Sequence, residues 1–325
     1  MKSILLRLVV VLLSLAWAVS ASATHSDLDD ADPPLLAPDV NLNDQVIGVQ
    51  VSLDPSVSLL VTLLVPVSGG PFPLVIMAHG ASDDPPNVPR ISDNFTAYYF
   101  LSRGYAVALP LMRGYGGSEG HLPARGCDTV VAGLDVAKDL SVVIDTVRQL
   151  PGIDGSRIVV AGKSYGGWGA LALGTLNVAN VKGLVSFAGG MKEGDCSTPD
   201  AALISGAGKL GAQTKIPSIW FFGDNDKIFA TATWQGMFKQ YTGAGAHAEL
   251  VDIGKFMDDA HTFTASGAAL PSWVPKLDAF LGQLGLPNQP VLPIYMPGPP
   301  PPASHYAELN DVSAVPFLND AQLAM

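Results

Sequence analysis

Arg157-Ile158-Val159-Val160-Ala161-Gly162-Lys163-Ser164-Tyr165-Gly166-Gly167-Trp168 is the stretch around which the rest of the chain falls into place. Ile158 to Ala161 is a short apolar, β-branched run that reads as a buried strand. Gly162 to Gly166 fits G-x-S-x-G, and Trp168 to Val178 continues as a helix rich in small residues. A serine on a tight strand-to-helix turn keeps its hydroxyl exposed, and the flanking glycines let the backbone turn without a side-chain clash. The turn also aims the N–H of Tyr165 at the place where an oxyanion would form. With 34 glycines in the chain the pentapeptide alone is weak evidence. The strand before it and the helix after it make Ser164 the candidate nucleophile.

Outward from this turn, the pattern is one of strands alternating with helices. Val46–Ser52 and Val57–Val65 alternate apolar with small or polar residues around the turn signal Asp54-Pro55, which predicts an antiparallel hairpin. Strands are then expected at Leu74–Ala78, Tyr105–Leu109, Arg157–Ala161, Val181–Ala188, Ile216–Phe222 and Ala248–Ile253. Helices are expected at Asn94–Arg103, Thr129–Leu150, after Ser164, and at Thr231–Tyr241 and Ser272–Leu284. The long one places Val130, Leu134, Ala137, Leu140, Ile144 and Val147 on one stripe, with Asp128 at the N-cap. Such alternation predicts parallel β-α-β units covered on both faces. The hairpin extends them to a mixed, mostly parallel eight-stranded α/β domain over residues 45–285.

The ends differ in character. Lys2 and Arg7 precede an apolar run from Leu8 to Val19 and then Ala21-Ser22-Ala23, the pattern of a signal peptide cleaved after Ala23. The run is shorter than the roughly 20 apolar residues of a membrane span, and no cysteine follows it, so no stable membrane anchor is expected. Residues 24–44 form an irregular lead-in rich in Asp, Pro and Ala. Residues 286–325 form a tail in which Pro287 to Pro302 holds eight prolines, the pattern of an extended strap.

These features predict a secreted or periplasmic protein. Without residues 1–23, which carry two positive charges and no acids, 16 Lys+Arg face 29 Asp+Glu, a net charge of −13. That argues against nucleic acid and anionic lipid as partners. The only two cysteines, Cys127 and Cys196, would lie in an oxidising compartment, and no His/Cys spacing suggests a metal site. No cofactor is implied, and the oligomeric state is left open.

In open α/β sheets the working groups lie beyond the carboxyl ends of the strands. A serine nucleophile there needs an acid and a base in the order Ser, Asp/Glu, His. Three histidines follow Ser164: His247 begins a strand, His305 lies in the tail, and His261 follows the last strand. His261 is therefore the candidate base. The acid should follow Ile216–Phe222, where the chain reads Gly223-Asp224-Asn225-Asp226, and Asp226 is preferred with Asp224 as the alternative. As a turn this stretch needs no catalytic role, because Gly, Asp and Asn favour turns in any case. Its place after the strand, between Ser164 and His261 in the chain, is what recommends it.

The second oxyanion donor should come from Met77-Ala78-His79-Gly80-Ala81, with the N–H of Ala81 joining that of Tyr165. His79 is expected to bond the loop backbone. Arg113-Gly114-Tyr115-Gly116-Gly117-Ser118-Glu119-Gly120 has no Lys-Ser/Thr behind it, so a rim loop pinned by Arg113 is expected in place of a phosphate cradle. Cys127 at the end of that loop and Cys196 after the strand Val181–Ala188 fall on the same side of the sheet, which suggests a disulfide bracing the rim. Met191 and Trp168 are either pocket walls or core. Between Phe187 and Ile216 there is room for one short helix, Pro199–Lys209, and for no full lid.

Gly-Lys-Ser-Tyr-Gly-Gly, Gly-Asp-Asn-Asp and Ala-His in this order resemble the α/β-hydrolase superfamily. His79-Gly80 and Arg113 to Gly120 are similar to dienelactone-hydrolase-like exported esterases and their relatives in the prolyl-peptidase group. Dienelactone hydrolases carry a cysteine at the nucleophile, where this chain has Ser164. Prolyl peptidases carry large additional domains for which residues 24–44 and the tail are too short. The resemblance implies a serine hydrolase acting on a small-molecule ester through a Ser-His-Asp triad. A serine peptidase is the alternative within the enzymes. A non-catalytic binding protein with the tail as its arm is the alternative outside them.

Overall fold

The computed structural model describes residues 42–53, 56–67, 69–91 and 94–296, and the backbone of Phe317 and Leu318. The expected leader, most of the lead-in, the Asp54-Pro55 turn and the Pro299–Pro302 run lie outside the described residues. Eight strands, β1 (Asp44–Leu53), β2 (Ser56–Leu64), β3 (Phe72–Ala78), β4 (Ala106–Pro110), β5 (Ile153–Lys163), β6 (Val181–Phe187), β7 (Ser218–Phe222) and β8 (Ala248–Asp252), form one sheet. A two-residue β9 (Phe317–Leu318) runs parallel to β1 at its outer edge, giving the order β8-β7-β6-β5-β3-β4-β2-β1-β9. The β1–β2 and β2–β4 pairs are antiparallel, and every pair from β4 through β3 to β8 is parallel. This is the predicted mixed sheet. The tail's contribution of a ninth, minimal strand was not expected, because Phe317-Leu318 is too short for any periodicity.

The parallel strands read as unbroken apolar runs because both their faces are covered. All seven residues of β3 and all five of β7 are buried. Helices α1 (Asn94–Ser102) and α6 (Leu270–Gln283) pack together on one side, where Arg103, just after α1, and the Tyr99 hydroxyl both bond Asp278. Helices α2 (Thr129–Val147), α3 (Tyr165–Leu173), α4 (Pro199–Gly211) and α5 (Thr231–Gly243) form a second group, in which α2 packs against α3 and α4, and α4 against α5. Residues 286–296 lie along α1. The N–H groups of Val291 and Leu292 bond the Ser102 carbonyl, and Tyr105 donates to the Pro287 carbonyl.

The α2 stripe is the expected one at Ala137, Leu140, Ile144 and Val147, all buried, and departs from it at the start of the helix. Asp128 does cap the helix, accepting from the Val131 N–H. Val130 and Leu134 are only half-buried, whereas Ala132, Gly133, Val136 and Val143 face inward. The reason is close contact with α3. Trp168 is fully buried and donates its indole N–H to the Thr129 carbonyl at 2.7 Å. A Cβ at Gly133 would lie 2.8 Å from that indole nitrogen. Only small residues allow this approach, and a hydrophobicity pattern gives small residues little weight. Trp168 is thus core and no pocket wall. Trp168→Ala should cost about 3–5 kcal/mol of stability, read as a lowered urea midpoint.

Candidate active site

Ser164 stands at the end of β5 and start of α3 with φ 50° and ψ −118°, a conformation uncommon outside glycine. Its neighbours explain how it is held there. A Cβ at Gly166 would collide with the carbonyl oxygen of Ala78 on β3, and one at Gly162 with the backbone of Gly166. The Ser164 N–H bonds the Phe187 carbonyl on β6, and the Gly190 N–H bonds the Ser164 carbonyl. Strained backbone of this kind persists where its surroundings over-determine it.

His261 lies in the 3-10 turn Ala260–Ala265 that follows β8, and its Nε2 is 3.0 Å from Ser164 Oγ. Its Nδ1 is 3.0 Å from Asp226 Oδ2. The other Asp226 oxygen accepts from the Ile228 and Phe229 N–H groups, both at 2.8 Å, and the side chain is fully buried. With Asp226 as acceptor, Nδ1 carries the proton and Nε2 accepts from the serine hydroxyl. Asp224, the alternative acid, is exposed and does not reach His261. The three residues read from the sequence are thus joined in one hydrogen-bonded relay.

Two residues that fasten this relay escaped the sequence reading. Asn225 bridges to the loop after β8, donating to the Phe256 and Met257 carbonyls and accepting from the Phe256 N–H. Asp259 accepts from the N–H groups of both Lys227 and His261. Burial alone would raise the Asp259 pKa, but these N–H groups, together with the positive charges of the His261 and Lys227 side chains, outweigh it and hold the carboxyl below its ordinary range. The one available signal was position: Asp259 sits two residues before His261, where an aspartate caps a turn.

Ala81 and Tyr165 border the same cavity as Ser164, and neither backbone N–H has a partner among the described residues. The β3 loop comes close enough that a Cβ at Gly80 would lie 3.3 Å from Ser164 Cβ. His79 is buried and bonds backbone as expected. Its Nε2 accepts from the Met112 N–H and its Nδ1 bonds the Gly80 carbonyl. Arg113 makes a two-pronged ion pair with Asp139 on α2, both contacts at 2.7 Å. Ser118 and Glu119 face β2, bonding Leu60 and Ser58. The glycine-rich loop is therefore a fastened rim.

Cys127 and Cys196 are joined by a disulfide. Beside it, one Glu193 oxygen accepts from the Arg125 and Gly126 N–H groups, and Lys192 pairs with Asp200. Gly190, Met191 and Lys192, in the segment so anchored, wall a cavity of about 570 Å³ together with Tyr165, Ile228 and Phe229. Burial pushes the Tyr165 phenol up to about 12, so it stays neutral over the working pH range.

Residues 55–248 match the family model described as X-Pro dipeptidyl-peptidase (S15 family). The chain belongs to this family. Membership places it among the serine hydrolases of the α/β-hydrolase superfamily. A comparison with curated proteins gives no match. Among solved structures it is similar to dipeptidyl peptidase 4 of Porphyromonas gingivalis, at 17% identity and a TM-score of 0.55 over 74% of this chain. The chain spans only 35% of the length of that peptidase. An esterase of Pyrococcus furiosus is similar at 18% identity and a TM-score of 0.54, covering 78% of this chain and 97% of its own. A Klebsiella pneumoniae chain assigned as a dienelactone hydrolase gives 17% identity and 0.54, covering 74% and 98%. At these identities the likeness is one of fold.

The S15 chain's rim makes a stability prediction. The disulfide closes a loop with a sequence separation of 69. Replacing both cysteines with serine should lower stability by about 2–4 kcal/mol, measured by urea unfolding of the oxidised wild type beside the double variant.

Proposed function

We propose that this S15 family member is an exported hydrolase that cleaves carboxylic esters through an acyl-enzyme on Ser164. The observation that carries the reading is the relay from Ser164 through His261 to Asp226, both contacts at 3.0 Å, beside an open cavity. Ser164 Oγ attacks the ester carbonyl carbon while His261 Nε2 takes the hydroxyl proton. Asp226 holds the opposite ring N–H and stabilises the imidazolium. The oxyanion that forms lies against the N–H groups of Ala81 and Tyr165. Collapse of the tetrahedral intermediate breaks the bond to the alcohol, which leaves with the proton from His261. Water then gives a proton to the same nitrogen and attacks the acyl carbon; the bond to Ser164 Oγ breaks, that oxygen takes the proton back from His261, and the acid is released.

An ester substrate is favoured by scale. The esterase and the chain assigned as a dienelactone hydrolase are matched over nearly their whole length, the dipeptidyl peptidase over about a third. A second reading, cleavage of peptides, is favoured by the description of the family itself. Export is proposed from Lys2 and Arg7, the apolar run and Ala21-Ser22-Ala23, and the disulfide suits an oxidising compartment. Among the described residues no helix is long and apolar enough to cross a membrane.

Fluorophosphonate labelling of the purified protein tests the nucleophile: one label per chain is expected, lost in Ser164→Ala and strongly reduced in His261→Ala. A folded wild type that takes up no label overturns the proposal. For ester turnover, Asp226→Asn should lower kcat on the order of 10⁴-fold, while Asp224→Asn stays near wild type. Turnover of a nitrophenyl butyrate well above that of an Ala-Pro nitroanilide is expected, and the reverse order would establish the peptidase reading instead.

A further inference from the structure

We infer that the substrate is an ester extended on both sides of its scissile bond, held in an open groove that passes through the site; this rests on the ester-hydrolase reading above. Two cavities meet at the nucleophile. The larger, of about 570 Å³, leads away between Met191, Ile228 and Phe229. The smaller, of about 270 Å³, leads away past Lys163 to Val88 and Pro89. Ser164, His261, Ala81 and Ser82 border both. Val88 and Pro89 also border a third cavity of about 440 Å³, which continues to Asn87, Gly116 and Gly117. Val88 is half-buried and Pro89 exposed, so they form a low sill in the groove with no wall closing it.

Size and covering both argue against a short ester. The larger arm alone falls within the roughly 300–1,000 Å³ range of sites for drug-sized ligands, and a methyl or ethyl ester would leave most of it in water. No residue of α4, the one helix between β6 and β7, borders any of the three cavities. The groove is therefore uncapped from that side.

The lining also indicates the character of the chain. Met191, Ile228 and Phe229 on one arm, and Val88, Pro89 and Pro86 beyond the other, offer apolar surface. The charged groups at the two arms are mixed in sign: Asp83, Lys163, Lys192 and Lys227, with Lys192 engaged by Asp200. With Lys192 held by Asp200 and Asp83 set against Lys163 and Lys227, one positive charge is left in excess over the two arms, so most of the recognition falls to the apolar lining, and the acyl and alcohol parts are both uncharged chains of several carbons.

Four aliphatic esters test this, pairing a two- or six-carbon acyl part with a one- or six-carbon alcohol and kept below micelle formation. Lengthening either part should raise kcat/KM on the order of tenfold, and the two gains should multiply because the arms lie on opposite sides of Ser164. Ile228→Trp should remove the gain from one part and Val88→Trp the gain from the other. A gain on one part alone, or on neither, with labelling intact overturns the two-sided groove and leaves the hydrolase reading standing. Loss of labelling in folded wild type overturns both.

Discussion

The constraint on which the site depends is the contact between the backbones of β3 and the turn after β5. Ser164 holds a positive φ because its peptide groups are engaged by Phe187 and Gly190 and because Gly166 lies against the Ala78 carbonyl. The same contact brings the loop after β3 alongside the serine. One packing event therefore exposes the hydroxyl and brings Ala81 to the cavity that Ser164 borders. No side chain fits at Gly162 or Gly166. The glycines of the motif are thus explained by close approach, and their φ values are ordinary.

Sheet order sets the remaining problem. Ser164 follows β5, Asp226 follows β7 and His261 follows β8, with β6 between the serine and the acid. At about 4.8 Å per strand the base begins three strands, roughly 14 Å, from the nucleophile. The chain after β8 must fold back over the end of β7 to close that distance. Asn225 and Asp259 hold it there, tying the loop of the acid to the loop of the base through four N–H···O contacts to backbone and one turn cap. Their removal would leave all three relay residues present and the base free to drift, which is why they count as positioning residues.

Much of this was legible because it rests on local rules. Doubly covered strands appear as unbroken apolar runs, and a strand-turn-helix with glycines around a serine has few other uses. The order of elements then assigned His261 over His247 and His305. Choosing Asp226 over Asp224 was harder, since both sit in the same polar turn. The choice depends on which carboxylate meets the Ile228 and Phe229 N–H groups, a matter of loop geometry. The α2 stripe held from Ala137 to Val147 and missed at its start for a related reason: contact with Trp168 selected small residues, and the apolar periodicity pointed to Val130 and Leu134 instead. Asn225 and Asp259 act entirely through backbone contacts across two loops, and of the two only Asp259 carries a mark in the sequence, as an aspartate two residues before His261. The rim disulfide was legible from topology, because Cys127 and Cys196 both follow strand ends on one side.

The family match and the geometry bear on different parts of the site. The match covers residues 55–248, so it includes the turn with Ser164 and the loop with Asp226, and it stops 13 residues before His261. The place of the base rests on the fold alone, on β8 at the sheet edge and the turn that returns from it. Substrate choice has yet another origin. The relay is indifferent to what lies beyond the scissile carbonyl, whereas the walls come from three loops: that after β3, that between β6 and α4, and that after β7. Only the second is braced by the disulfide and by Glu193. The disulfide and Glu193 thus brace the wall at Met191, while Val88 and Pro89 border the other cavity. In a fold shared by peptidases and esterases, the part of a substrate beyond the carbonyl is therefore held by these loops and not by the relay.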